Sequence, residues 1–270
     1  KLSFRLIFSL ININYFTMCY HVSQQKKDAG FSPNPLSYIE LENTFNARFE
    51  YPEVFKPAFH LNGFEHGNLY CIPQEYSDAI EPMRWGFVEK QAEKDAYFDH
   101  RIEEVTDMQA YWRKKGGYTL NGQVERVFDY YVTAEAIRYR RCLIPITGFF
   151  ESKHVGKEKL PYFIHPKDNG YFALAGIYNE NETGLFTCKI LTTAANPLMA
   201  EIHNSKKRMP VMLHPENWDA YISDSLSDTD IKAILSKDTN QEIETYTVSK
   251  DVNNSRIGSN RADILASVNY

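Results

Sequence analysis

No apolar run in this 270-residue chain approaches the roughly 20 residues that a membrane-spanning helix needs. Cysteine is scarce. Cys19, Cys71, Cys142 and Cys188 stand far apart and form no C-x-x-C pair, which argues against a zinc site or a disulfide framework and fits a reducing compartment. Positive charge is not in excess either. Thirty Lys and Arg face 35 Asp and Glu, a net charge of −5, so the field of the whole molecule does not recruit nucleic acid. Any such site must be a local patch, and "RKK" (113–115), "RYRR" (138–141) and "KKR" (206–208) are candidates, each also readable as a solvated surface. Internal repeats, low-complexity segments and Pro/Gly/Ser-rich linkers are missing, which points to one domain.

What the chain does have is aromatic residues, 18 Tyr and 17 Phe, and these favour a β-rich fold. Residues 36–50 and 102–115 read as helices, the second stopped by Gly116-Gly117, and 133–141 as a short helix capped by Thr133. Strand-like runs follow at 142–152, 161–166, 171–179, 186–195, 208–213 and 242–249. Short helical stretches fall at 196–203, 215–223 and 228–237. The expected class is α+β, a single domain with a central antiparallel barrel-like sheet and flanking short helices.

Residues 1–17, "KLSFRLIFSLININYFT", imitate a signal peptide, but asparagines interrupt the apolar run and no A-x-A-like cleavage site follows. They are expected to be an upstream leader absent from the mature protein, with a membrane anchor or export signal as the alternative and the domain running over 18–270. Met18 then precedes Cys19. Were Cys19 the first residue, thiol and α-amine would sit on one residue. An α-amine has a pKa of about 7.7–8.0 against about 10.4 for lysine, so roughly a tenth of it is unprotonated at neutral pH. Such an amine attacks an aldehyde to give an imine. The adjacent thiol then closes a thiazolidine ring, an intramolecular step favoured by high effective molarity. The open form of an abasic deoxyribose supplies a suitable aldehyde.

Seven segments in order carry a family resemblance: "MCYH" (18–21), "MRWGFV" (83–88), "NGQVE" (121–125), "RRCLIPITGFFE" (140–151), "LTTAAN" (191–196), "IHNSKKRMPVML" (202–213) and "VSKDVNN" (248–254). The chain resembles the SOS response-associated peptidase (SRAP) family, whose members crosslink to abasic sites through a cysteine after the initiator methionine. The resemblance implies Cys19 as nucleophile and Asn121 as the residue that positions cysteine and sugar. It implies Glu151 as a proton shuttle during imine formation and His203 as acid/base for opening the sugar ring and reversing the adduct. A histidine suits that work without tuning, whereas Glu151 needs partial burial to act as a base. Read without the family, Cys19 is a small buried hydrophobe, Asn121 a turn residue, Glu151 a strand-end charge and His203 a helix cap.

The implied partner is single-stranded DNA containing abasic sites, gripped at its phosphates and at unstacked bases. Trp85, Thr192 and Arg208 match strand-contacting positions, with Lys206 and Lys207 beside the last. The chain departs from the family at three places. His21 replaces a basic residue, Gln123 stands where N-A-R-x-E has arginine, and "HNSKKR" holds three extra residues between His203 and Arg208. No metal, organic cofactor, membrane or obligate protein partner is implied, and the expected location is the cytoplasm, on the nucleoid when DNA is bound. A possible AP-lyase activity accompanies the imine. Two rivals stay open: a thiol peptidase using Cys19 with His203 and Glu151, even on its own N-terminus, and a non-covalent single-strand binding module.

Overall fold

The apolar run beginning at Cys142 reads as one strand, yet it forms two, Arg141–Ile146 and Gly148–Val155, which belong to different sheets. Thr147 is the hinge. Its backbone N–H donates to Ser23 O at 2.8 Å, and its hydroxyl donates to Gln25 O at 3.0 Å. A glycine is required next: a Cβ on Gly148 would lie 2.3 Å from the Phe163 ring and 2.7 Å from Ile164 O. Gly148→Ala is expected to cost about 1–3 kcal/mol through overpacking, read as a lowered urea midpoint at unchanged slope.

The computed structural model describes residues 20–26, 35–56, 58–88, 105–180, 184–236 and 242–270. Its first half contains β1 (His21–Ser23), α1 (Pro35–Phe45), β2 (Arg48–Phe49), β3 (Leu61–Asn62), β4 (Asn68–Pro73) and β5 (Ala79–Trp85). Then come α2 (Val105–Lys115), β6 (Asn121–Gln123), α3 (Ala136–Tyr139), β7 (Arg141–Ile146), β8 (Gly148–Val155) and β9 (Glu158–Pro166). The chain continues through β10 (Phe172–Glu180), β11 (Phe186–Ala194), α4 (Pro197–Ile202), β12 (Arg208–Pro210) and β13 (Met212–Leu213). It ends with α5 (Trp218–Tyr221), α6 (Asp228–Ser236) and β14 (Ile243–Thr247).

One sheet runs β14-β9-β8-β1-β3, antiparallel throughout. In the other, antiparallel neighbours β11, β10, β7, β4 and β5 curl until β5 meets β11 in a short parallel ladder, Arg84 with Thr187 and Trp85 with Cys188. That seam makes the sheet barrel-like, as expected. The central strands of the ring, β4, β7 and β10, are buried on both faces. Along β4 and β10, Leu69, Cys71, Phe172, Leu174 and Tyr178 join one apolar cluster with Val22 and Phe149 of the smaller sheet. The alternate residues Tyr70, Ile72, Ala173, Ala175 and Ile177 pack in a second cluster with residues of α1, α5 and α6. Cys71, Cys142 and Cys188 are free and fully buried within the first cluster. Among the described residues no helix is long and apolar enough to cross a membrane.

Several local expectations are corrected. Helix α1 stops at Phe45 because Asn46 takes a left-handed conformation, φ 50°. Residues 102–104 lie outside the described residues, while Gly116, φ 56°, follows the end of α2 as expected. The 133–141 helix is a single turn, and Thr133 does not cap it: its hydroxyl donates to Val127 O at 2.8 Å. The run 208–213 splits at Val211 into β12 on β11 and β13 on β10. The basic "RYRR" is structural. Arg138 pairs with Asp228 at 2.7 Å and Arg140 with Glu135 at 2.8 Å. Arg141, fully buried, donates to the carbonyls of Tyr221 and Ile137 at 2.6 and 2.9 Å.

Candidate active site

Helix α4 delivers His203. Asn196 caps it by accepting from Met199 N at 2.9 Å, Pro197 opens it, and His203 closes it with its N–H on Met199 O at 2.7 Å. The imidazole is turned inward and buried. Its Nδ1 lies 2.9 Å from Arg208 O. A carbonyl only accepts, so Nδ1 carries the proton and Nε2 holds the lone pair of the neutral ring. That Nε2 faces Glu151 Oε2 at 4.0 Å, close enough for charge coupling and too far for a direct hydrogen bond.

Glu151 sits on β8 two residues beyond Phe149, so alternation turns it to the same face, towards the cluster shared by both sheets. Its side chain is 10% exposed, and Oε1 is buried with no hydrogen-bond partner among the described residues. Desolvation pushes its pKa up to about 8, opposed only in part by the Ser152 backbone N–H. The carboxyl is thus mostly protonated at neutral pH yet titrates near it, the range in which a proton shuttle works best. The burial that the sequence reading required of Glu151 is present.

Asn121 begins β6, which lies parallel to β11 with Asn121 opposite Ile190. Two side chains brace the backbone on either side of it. Trp85 Nε1–H donates to Leu120 O at 2.9 Å, and the Thr192 hydroxyl donates to Gly122 O at 3.2 Å. Both are buried, Trp85 to 1% exposure and Thr192 to 0%. In this structure neither offers a face to a strand; they hold Asn121 in place. Asn121 and Gln123 line a pocket of about 360 Å³ together with Tyr20, Tyr118, Arg126 and Tyr130.

Tyr20 links the two halves of the site. It leads directly into β1, which pairs with β8, the strand that carries Glu151, as Val22 with Phe149 and Ser23 with Gly148. Its ring lies on the pocket wall next to Gly117 and packs on Phe64 at 4.6 Å between centroids. Cys19 itself lies outside the described residues.

The basic positions separate. Arg208 makes a two-pronged ion pair with Glu125 at 2.6 and 2.9 Å and also donates to Thr192 O at 2.7 Å. Burial would raise Glu125, but the Arg208 hydrogen bonds and charge outweigh it and hold the carboxylate below its ordinary pKa. Arg208 therefore ties β12 to the turn after β6. The extra residues before it form a turn ending at Lys207, exposed and left-handed at φ 53°, whose N–H donates to His203 O at 2.9 Å. Lys206 is half-buried and Gln123 borders the pocket. His21 does not stand in for a cation. Its Nδ1 lies 2.8 Å from His60 Nε2, and His60 Nδ1 lies 2.6 Å from Ser259 Oγ. Burial lowers His21 to about 4 and, with the charge of His21, His60 to about 3, so both are neutral at pH 7.

Sequence reading missed Glu125, Tyr20, Tyr118, Arg126 and Tyr130. Glu125 and Tyr20 alone carried a signal, as members of "NGQVE" and "MCYH". Among the described residues no group of three or more His, Cys, Asp and Glu is placed to hold a metal ion.

A family model described as SOS response associated peptidase (SRAP) matches residues 18–255, and the chain belongs to this family. YoqW of Bacillus subtilis (strain 168), named an abasic site processing protein, is 34% identical over 191 residues, 68% of this chain and 76% of that protein. YoaM of the same bacterium carries the same description and is 31% identical over 223 residues, 80% of this chain and 87% of its own length. The similarly named YMR114C of Saccharomyces cerevisiae is 27% identical over 207 residues, and the match spans 74% of this chain but half (50%) of that relative. A crystal structure of a protein from Bacteroides thetaiotaomicron superposes with a TM-score of 0.72 at 26% identity, covering 93% of this chain and all (100%) of its own.

Proposed function

We propose that this protein processes abasic sites in single-stranded DNA, capturing the lesion as a covalent thiazolidine through Cys19. The observation that carries the reading is the buried Glu151–His203 pair at 4.0 Å. Cys19 precedes Tyr20 in the chain, and Tyr20 lines the pocket that Asn121 also borders, which supports Cys19 as the nucleophile. Relatives named for abasic site processing support the same substrate.

His203, with Nε2 unprotonated, takes the proton of the C1′ hydroxyl as the C1′–O4′ bond breaks and returns it to O4′, freeing the aldehyde. The α-amine adds to the carbonyl carbon, and the ionised Glu151 accepts the proton that the ammonium gives up. Protonated Glu151 passes that proton to the carbonyl oxygen, giving the carbinolamine, and then relays the second N–H proton to the same oxygen, so that water leaves and the imine remains. The thiol sulfur attacks the imine carbon and its proton passes to the ring nitrogen, so aldehyde and aminothiol become thiazolidine plus one water. Asn121, braced by Trp85 and Thr192, positions the sugar. Gln123, Lys206 and Lys207 supply strand contacts. The imine is also the branch point for strand scission by elimination, the route to AP-lyase activity, and ring closure protects the strand from it.

Intact mass after incubation with an abasic oligonucleotide tests this. The natural protein is expected to gain the oligonucleotide mass less one water, and Cys19→Ala to gain nothing stable. Cys19→Ser keeps the amine and should give only an imine trapped by borohydride. A stable adduct on Cys19→Ala would sink the thiazolidine route.

A further inference from the structure

The run "RKK" at 113–115 has no part in the site described above, yet it ends α2 beside a second cleft. This cleft, of about 720 Å³, is lined by Phe64, His66, Arg84, Trp112, Arg113 and Gly116, with Glu65 as its carboxylate. It adjoins the first pocket along two lines. Phe64 on its wall packs on Tyr20 of the first pocket, and Gly116 on its wall is followed in the chain by Gly117 and Tyr118 of the first.

Resting on the single-strand reading above, we infer that this cleft is a subsite for the DNA strand flanking the reacting sugar: Phe64 stacks on a base, and Arg84 and Arg113 meet the neighbouring phosphates. The chemistry fits a nucleic acid better than an apolar ligand. Phe64 is a large hydrophobic left 49% exposed, which costs free energy in the absence of an occupant and offers a π-face to one. Two guanidiniums against one carboxylate give the cleft net positive charge inside a chain of net −5. Arg84 is exposed and spends one N–H on His66 O at 3.2 Å, leaving the rest of its fork to the cleft. The floor is built to keep its shape. His66 stacks on Trp112 at 4.1 Å, its Nδ1–H donates to Trp85 O at 2.7 Å, and Trp112 Nε1–H donates to Gly86 O at 2.8 Å. The competing explanation is that Arg113, Lys114 and Lys115 merely complement the negative end of α2. It accounts for the charge of the helix and leaves Arg84 and Phe64 unexplained, since both lie on other elements.

The test compares the natural protein, Phe64→Ala, Phe64→Trp and the double variant Arg84→Gln/Arg113→Gln on abasic oligonucleotides with long flanks, or with the 5′ or the 3′ flank trimmed to one nucleotide. On long flanks Phe64→Ala is expected to bind about 5- to 150-fold more weakly, and Phe64→Trp to restore binding. The double variant should lose about 1.4 from the salt slope, two contacts at about 0.7 each. Trimming one flank should bring the natural protein down to the level of the variants and leave the variants unmoved. Crosslinking per bound complex at saturating DNA should be the same in all four proteins, which also shows that they are folded. If the natural protein binds and crosslinks but affinities and slopes agree across variants and flank lengths, this inference falls and the proposed function stands. A natural protein that neither binds nor crosslinks single strands overturns both.

Discussion

Glu151→Gln is expected to make the protein more stable and nearly inactive. The wild-type carboxyl has its pKa raised from 4.5 to about 8 by burial, so the folded state holds a proton that the unfolded state has released. Between those two values the unfolded chain binds fewer protons, and stability must fall as pH rises. The favourable contribution is complete below about pH 4.5 and gone above about pH 8. A neutral amide of the same shape pays no such cost. The gain of Glu151→Gln over the natural protein should therefore be small at pH 4.5, widen with pH, and level off above pH 8 at no more than about 5 kcal/mol, from 1.36 kcal/mol per pKa unit. The group is 10% exposed, so little of this is lost to solvent screening. Over the same pH range the rate of adduct formation should drop about 10²–10⁴-fold, the usual worth of a general acid/base. Thermal melts at pH 5 and pH 8 with both proteins decide it. An equal melting difference at the two values would mean that Glu151 is ionised in the fold across the whole range.

That stored instability bears on what the sequence could and could not disclose. The chain from β7 to β11 was legible as extended runs rich in β-branched and aromatic residues, except that β7 and β8 read as one strand. β1, β4 and β5 were not, being short or, as in "AIEPMRW", interrupted by Pro82 and by charges at Glu81 and Arg84. Yet the period-two pattern of that same stretch places Met83 and Trp85 on one face, and both are buried while Arg84 is exposed. Weighed alone, it puts Trp85 in the core, behind Asn121. The partnership of Arg208 with Glu125 spans 83 positions in the chain, and no local pattern encodes it. The same holds for the histidine pair, His21 with His60, which turns position 21, where the family has a basic residue, into an internal contact. Residue types named the chemistry; only packing decided which charges were spent inside the fold.

The second large effect concerns the nitrogen of Cys19. A form of the protein carrying any acyl group on that nitrogen, such as a peptide ending in Met18 fused ahead of Cys19, is expected to fold, to bind single-stranded DNA, and to form no stable adduct with an abasic site. An amide nitrogen has no available lone pair, so the carbinolamine, the imine and the ring are all closed to it, whatever the thiol does. Folding should survive because β1 begins at His21 and is held from both sides, by β3 and by β8. Binding should survive because the pocket walls and the cations beside the strand lie elsewhere in the chain. The same protein separates the rival chemistries. A thiol peptidase needs the sulfur and a preceding peptide bond, so it would cut the fusion at Met18–Cys19 and recover crosslinking with time, and Cys19→Ala would abolish that recovery. A binding module would show equal DNA affinity with or without the block, and no adduct in either form. Mass spectrometry of the blocked and free proteins, before and after abasic DNA, reads every one of these outcomes. Crosslinking by protein that still carries the intact block would overturn capture through the α-amine and move the nucleophile to another residue of the pocket.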